Sequence, residues 1–391
     1  MRPISRRDFV VRLSAGAGGL AGYATLAGAC SPTSARQAAS SMYIGTYTRG
    51  GSQGIYRASF DPASGAIRLD GVAAELENPS YLAVNPDRSR LYAVSEVDDF
   101  QGTDGGGVVA FAIEADGGLR ELGRQPTHGA HPCYVSVDPA GEFVMVANYS
   151  SGNAALFRLE ADGSLPPAAD VVQHRGSGPD AQRQEGPHAH WIAMGPEHRY
   201  VFVVDLGIDR VVGYVLDREG ARLVPAADGA GVTTRPGAGP RHLAFHPDGR
   251  RAYLINELDS TLTPLSYDSE SGSMESLGTV STLPQEFTGT NTCADVHVAP
   301  SGRFVYGSNR GHDSIAVFAI SDDGRLTLVQ HQSTLGRTPR NFAIAPGGEF
   351  LVAANQDSSS LVTFAIDPVS GRLSPVGDPV EVPTPVCVAF L

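Results

Sequence analysis

Apolar and polar positions alternate with a period of two in short runs along the chain, and turns rich in Gly, Pro, Asp and Ser separate the runs. That is the pattern of half-buried β-strands. It is clearest in Gly239-Pro240-Arg241-His242-Leu243-Ala244-Phe245-His246-Pro247-Asp248-Gly249-Arg250-Arg251-Ala252-Tyr253-Leu254-Ile255-Asn256-Glu257, where two alternating arms flank a Pro-Asp-Gly turn. The arms run antiparallel, so the Arg241-His242 end and the Asn256-Glu257 end meet at one edge of the sheet.

The hairpin recurs. Its marker proline stands at Pro86, Pro139, Pro196, Pro247, Pro300 and Pro346, at spacings of 46 to 57 residues. Each repeat divides into four short strands, A to D, with A before the marker and B after it. A second recurring turn joins C to D, as in Glu114-Ala115-Asp116-Gly117 and Asp217-Arg218-Glu219-Gly220, and it occurs seven times against six marker prolines. The missing A strand is at the C-terminus, where Pro385-Val386-Cys387-Val388-Ala389-Phe390-Leu391 has nothing after it. Met42-Tyr43-Ile44-Gly45-Thr46-Tyr47 reads as a B strand with nothing before it. Joining the two predicts an all-β fold, a seven-bladed β-propeller of four-stranded antiparallel blades over residues 42–391, closed by a C-terminal A strand in the N-terminal blade.

In such a ring the A–B and C–D turns lie on one face, and the D–A and B–C connections on the other. The repeated turns occupy the first face and variation concentrates at the start of A and the end of B, so function is expected on the second. Six places before the marker stand Ser80, Cys133, His190, Arg241, Ala294 and Arg340. Ten places after it stand Glu96, Tyr149, Leu206, Glu257, Arg310 and Gln356, with Tyr47 equivalent in the first blade. Both sets would ring the central mouth and make a pocket for a small anionic molecule. The small polar residues nine places after the marker (Ser95, Asn148, Asp205, Asn256, Asn309, Asn355) are expected to tie down loops. Alternation puts His188 and His190 on one side of a strand, but no carboxylate or cysteine set accompanies them, so no metal is expected. The Gly50-Gly51-Ser52-Gln53-Gly54 string lacks the strand-to-helix context of a nucleophile elbow and reads as chance.

Composition narrows the function. A net charge of −13 argues against nucleic acid. The absence of any lysine excludes Schiff-base chemistry and a P-loop. Residues 1–30 read as an export leader: Ser5-Arg6-Arg7-Asp8-Phe9-Val10-Val11 resembles a twin-arginine motif, an apolar run follows, and Leu26-Ala27-Gly28-Ala29-Cys30 resembles an imperfect lipoprotein cleavage box. A periplasmic protein, with a possible lipid anchor through Cys30 and a linker over residues 31–41, is the expectation. Cys133, Cys293 and Cys387 fall at or beside inner-strand positions and read as buried small apolar residues. A monomer is expected.

The strings Tyr43-Ile44-Gly45-Thr46-Tyr47-Thr48, Gly186-Pro187-His188-Ala189-His190, Gly239-Pro240-Arg241-His242, Ile255-Asn256-Glu257-Leu258, Ser308-Asn309-Arg310-Gly311-His312 and Pro339-Arg340-Asn341-Phe342 together resemble the seven-bladed propeller lactonase family. That family includes propeller-type 6-phosphogluconolactonases and a carboxymuconate-lactonising enzyme. The resemblance implies a cofactor-free hydrolase acting on a sugar lactone or related anionic lactone, with catalytic groups at His190, Arg241, Glu257 and Arg310. The two arginines would hold the anionic group and offset charge on the carbonyl oxygen. His190, with Glu257 in support or in its place, would move the proton. His188, His242, Tyr47, Glu96, Tyr149, Arg340 and Gln356 are the expected substrate contacts. Two other readings of the pocket stay open: a muconate-type lactonising cycloisomerase, and a periplasmic propeller that binds a ligand or partner without turnover.

Overall fold

A computed structural model of the chain describes residues 40–391 apart from residue 228. The leader, the possible lipidation site at Cys30 and most of the linker lie outside the described residues. Seven antiparallel sheets follow one another around a ring. We number the blades 1 to 7 in chain order and keep the letters A to D for their strands, from the inner strand outward.

Closure occurs as the pattern predicts. Strand A of blade 1 is Pro385–Phe390, and it pairs with strand B, Ser40–Thr46, from Met42 opposite Phe390 to Thr46 opposite Pro385. No inner edge of the first sheet is left open to pair with another chain. Each of seven apolar clusters joins one blade to the next. Phe143, Met145 and Leu156 of blade 3, for instance, pack on Ile192, Val201 and Val203 of blade 4. No blade therefore has a core of its own, and the ring is the smallest unit that buries its apolar faces. Tyrosines on the B strands add latches between blades: Tyr43, Tyr92 and Tyr306 donate from Oη to the carbonyls of Gly117, Gly163 and Gly371 at 2.9, 3.0 and 3.1 Å, each in the C–D turn of the following blade. Cys133, Cys293 and Cys387 are buried free thiols.

Three features depart from the regular repeat. The outer strands of blades 4 and 5 are split, into Arg222–Pro225 with Gly231–Thr233 and Met274–Ser276 with Val280–Ser281. A small hairpin, Asp99–Phe100 with Thr103–Asp104, fills the B–C connection of blade 2. The third is the one that matters for function: the A strands carry β-bulges near their starts. Pairing skips Cys133 in blade 3, His190 in blade 4, Arg241 in blade 5 and Arg340 in blade 7.

Because closure rests on one terminal strand, a chain ending at Thr384 leaves Ser40–Thr46 as a bare edge beside an unfilled core. We expect such a truncation to lose cooperative unfolding and to aggregate, measured by thermal melting and size-exclusion chromatography. A sharp, monomeric transition from the truncated chain would show that the ring does not depend on this strand.

Candidate functional site

Two repeated backbone devices aim side chains at the central mouth. Eight residues before the marker, Asn78, His131, Gly239 and Thr338 adopt left-handed backbone, with φ of 45, 53, 60 and 58°, and turn the chain into strand A. Their carbonyls accept the N–H of the residue just past strand B: Asn78 from Glu96 (3.0 Å), His131 from Tyr149 (3.0 Å), Gly239 from Glu257 (2.7 Å) and Thr338 from Gln356 (3.0 Å). At Gly239 a side chain is also excluded by space, since a Cβ would stand 2.4 Å from Leu258 Cγ. Two residues on, the bulge leaves one residue unpaired and re-aims it.

The polar residues at the ends of the B strands anchor the connections behind them. Asn148, Asn309 and Asn355 donate from Nδ2 to the carbonyls of Thr127, Thr282 and Thr334 at 3.1, 2.9 and 3.1 Å, and Ser95 Oγ donates to the Glu77 carbonyl at 2.8 Å. Asp205 accepts from His174 Nδ1 (2.6 Å) and from the backbone N–H of His188 (2.7 Å). Their structural role is as the sequence pattern suggests.

The resulting cavity has a volume of 460 Å³ and takes a residue from every blade in its wall: Tyr47, Glu96, Cys133 and Tyr149, His190, Glu257, Thr292 and Arg310, and Arg340, joined by Arg183. Two larger hollows, of 540 Å³ beside Glu75 and Phe100 and 620 Å³ between Pro62 and Phe304, have no histidine in their walls.

Glu257 organises the charges. It is 4% exposed and meets three arginines: Arg183 Nη2 at 2.6 Å on Oε1, with Arg310 Nη2 at 2.9 Å and Arg241 Nε at 3.0 Å on Oε2. Burial alone would raise its pKa, but Arg310, Arg241 and Arg183 more than offset this and hold it at about 2. It is therefore an anion whose proton affinity is too low for a general base near neutrality. Arg310 Nη2 also donates to the Cys293 carbonyl at 2.7 Å.

Arg241 lies behind the wall. Its Nη1 donates to the carbonyl of Ala294 at 2.6 Å and to His242 Nε2 at 3.2 Å, while His242 Nδ1 donates to Asp295 Oδ1 at 2.8 Å. Asp295 Oδ2 in turn accepts from Asn341 Nδ2 at 2.6 Å and His297 Nε2 at 3.1 Å. Burial, then Arg241, pushes His242 down to about 4, so the imidazole is neutral and accepts from the guanidinium. Tyr81 of blade 2 and Tyr134 of blade 3 pack against the His242 ring of blade 5 from across the axis, at 6.1 and 5.2 Å between centroids.

His190 is the titratable group with the freest edge. Its Nδ1 faces Cys133 Sγ at 3.6 Å, and its Nε2 has no hydrogen bond among the described residues. Burial, then the charges of Arg241 and Arg340, hold its pKa well below the usual histidine value, so it is neutral at pH 7.

The structure thus brings Tyr47, Glu96, Tyr149, His190, Glu257, Arg310 and Arg340 together around one cavity, with Arg241 directly behind Glu257. His188, His242 and Gln356 stand off its wall. His188 stacks on Tyr149 at 4.5 Å and bonds from Nδ1 to the Tyr149 carbonyl (3.0 Å), and Gln356 Nε2 donates to Asp357 at 2.8 Å. The bulge at His190 breaks the alternation that would pair it with His188. Among the described residues no three His, Cys, Asp or Glu side chains cluster closely enough to hold a metal ion. Ser52 Oγ bonds Thr46 Oγ1 at 2.6 Å, away from the mouth. Arg183 has no counterpart in the strand register. It comes from the connection over residues 174–188, which is pinned by the buried Gln184 through bonds of 2.8 Å to the Leu206 carbonyl and to Asp209 Oδ1. The length of that connection is the one sequence signal for it.

Fold and mouth define a class, the closed seven-bladed propeller with a cationic central cavity. Residues 41–390 match the family described as lactonase, seven-bladed β-propeller, and the chain belongs to it. It is 42% identical over 351 residues to a 6-phosphogluconolactonase of Bacillus subtilis, covering 89% of this chain and 97% of that one. The solved structure of the periplasmic gluconolactonase of Pseudomonas aeruginosa is similar with a TM-score of 0.84 at 36% identity, over 90% of this chain and 99% of that one. A protein of Lactobacillus plantarum is similar with a TM-score of 0.84 at 38% identity, over 90% and 100%.

Removing the charge of Glu257 leaves buried arginines unopposed, so Glu257→Gln is expected to destabilise the fold by about 3 kcal/mol in urea melts. The sign with pH follows from the lowered pKa. The wild-type advantage over Glu257→Gln is complete above about pH 4.5, the unfolded value, and disappears as pH falls toward 2. An advantage that does not change between pH 6 and 3 would show that this carboxylate does not carry the cluster.

Proposed function

We propose that the protein is a lactone hydrolase that opens the ring of a sugar-acid lactone. The observation that carries this reading is a neutral histidine, His190, facing a cavity lined by three guanidiniums, with that of Arg241 behind them, and only two carboxylates. Its support from kinship is the family and the relatives named for 6-phosphogluconolactone and gluconolactone hydrolysis.

Ester hydrolysis needs water to lose a proton as it attacks the carbonyl carbon, and it needs the oxygen of that carbonyl to bear negative charge in the tetrahedral state. Neutral His190 accepts the proton at Nε2, and the surplus positive charge of the wall stabilises the oxyanion. Collapse breaks the bond from carbon to ring oxygen, and imidazolium returns the proton to that oxygen. The product is a hydroxy acid that ionises and releases one proton. Glu257 holds Arg241, Arg310 and Arg183 in place and leaves proton transfer to His190. No metal or cofactor enters these steps.

Export belongs to the same proposal. The leader at residues 1–30 and the periplasmic description of the Pseudomonas aeruginosa relative support a location outside the cytoplasm. Phosphorylated sugars arise where cytoplasmic kinases act, so an unphosphorylated aldonolactone is the substrate we favour.

The test is proton release in a pH-stat from gluconolactone, 6-phosphogluconolactone and a muconolactone. We expect turnover well above the spontaneous rate, lowered 10²- to 10⁴-fold in His190→Ala. Because His190 is neutral far below its usual value, kcat/KM should show no inflection near pH 6.5 and should fall only at lower pH. Folded protein without acid release on any lactone would overturn the reading. An inflection at pH 6 to 7 lost in His190→Ala would overturn the electrostatic account of the base.

A further inference from the structure

The four arginines at the mouth are not equivalent. Arg241, Arg310 and Arg183 each meet Glu257, and Arg241 and Arg310 also donate to backbone carbonyls. The Nε atoms of Arg241 and Arg310 are closed off from solvent. Arg340 differs: among the described residues its guanidinium donates no hydrogen bond and forms no ion pair, yet it lines the cavity and its nitrogens are open to it. An ion so placed gives up much of its hydration without a partner in return, which is costly unless a ligand supplies one.

Two neighbours keep it in that state. The Tyr47 ring lies under the guanidinium, with Arg340 Cζ 5.4 Å from the ring centroid, and orients it without consuming a donor. Tyr47 Oη is 3.0 Å from both oxygens of Glu96 and occupies the carboxylate that could otherwise take Arg340. Burial disfavours the charge on Arg340, but Tyr47, Glu96 and Glu257 more than compensate and keep it firmly protonated. The bulge at Arg340 puts this fork on the same ring as His190, three blades away around the mouth.

We propose that Arg340 is a catalytic residue for lactone opening, the guanidinium that contacts the carbonyl oxygen as it becomes an oxyanion and then holds the product carboxylate. The assignment rests on the lactone-hydrolase reading. The arginines then divide by role, since three are braced by Glu257 and shape the field, and one meets the substrate with a planar fork that fits two carboxylate oxygens. Arg340 is also the natural place for the carboxylate of the hydroxy-acid product in the absence of turnover.

The experiment compares wild type, Arg340→Lys and Arg340→Ala on the lactone that wild type turns over fastest, with melting temperature recorded for each. Arg340→Ala should lower kcat about 10²- to 10³-fold, with little change in KM and in melting. Guanidinium ion at tens of millimolar should restore part of the rate, whereas sodium at equal ionic strength should not. Arg340→Lys, which keeps the charge but not the fork, should remain well below wild type. A rate within threefold of wild type in Arg340→Ala overturns the proposal, and so does a loss of rate that matches a loss of folded protein and is not reversed by guanidinium in either variant. If wild type itself opens no lactone, the hydrolase reading fails separately. Calorimetric binding of gluconate then decides for Arg340: affinity lost in Arg340→Ala retains it as the carboxylate site, and equal affinity or no binding removes it.

Discussion

The mouth of this propeller is held together by one buried carboxylate. Glu257 gathers arginines from the A strand of its own blade, from the end of the next B strand and from a long connection that leads into the preceding blade. Without an anion at their centre, three like charges in a cavity of low dielectric would repel one another and draw in water. The depression of its pKa to about 2 expresses that coupling, and it also removes Glu257 from proton transfer near neutrality. Arg183 contributes least to the coupling, since its side chain is 37% exposed and solvent screens it. Arg241 is braced from the opposite side by His242 and Asp295. The stable part of the site is thus a frame of fixed charges, and its two least engaged groups are His190 and Arg340.

Propeller geometry explains why those two face the cavity. Every A strand begins beside the axis, and in blades 3, 4, 5 and 7 a bulge at that point turns one side chain out of the sheet pairing. The backbone cost of the bulge is shared with the hydrogen bond to the end of strand B and, in blades 3, 5 and 7, with the left-handed turn before it. What the repeat fixes is the position; what each blade supplies is the residue. Cys133, His190, Arg241 and Arg340 occupy the same backbone site in four blades and differ only in chemistry. Arg241 is drawn behind the wall because its own blade presents Glu257 next to it, whereas Arg340 has Gln356 at that place, turned toward Asp357.

Much of this was legible because a period of two and a repeated turn translate directly into strands and blades. The strand ends at Tyr47, Glu96, Tyr149, Glu257 and Arg310 were readable from register alone, since strand B is regular up to its last residue. The A strands were less readable. Alternation made His188 a partner of His190, but bulges carry no distinct side-chain pattern, and the real partners of His188 are Tyr149 and Glu185. His242 illustrates the same limit, because its neighbours Asp295 and Arg241 come together only once the blades close. Arg183 was out of reach of any strand-based argument. Its placement depends on the tertiary fold of a connection pinned by Gln184, and no local periodicity reports that.

The charge distribution bears on the direction of the chemistry. The protein carries −13 overall, yet its mouth holds a surplus of guanidinium. An uncharged lactone approaches such a surface without a long-range barrier and meets positive potential only inside the cavity. On the proposed reaction the product would be an anion, drawn to Arg340 as it forms and repelled by the protein's net negative charge as it leaves the mouth. Screening limits that repulsion to about 10 Å at 0.1 M salt, so it acts on departure and not on distant encounter. A phosphorylated lactone would arrive already anionic and would feel the acidic exterior on entry as well as on exit. A net negative charge with guanidiniums gathered at the mouth therefore accords with the proposed unphosphorylated lactone, which would be neutral on the way in and charged on the way out.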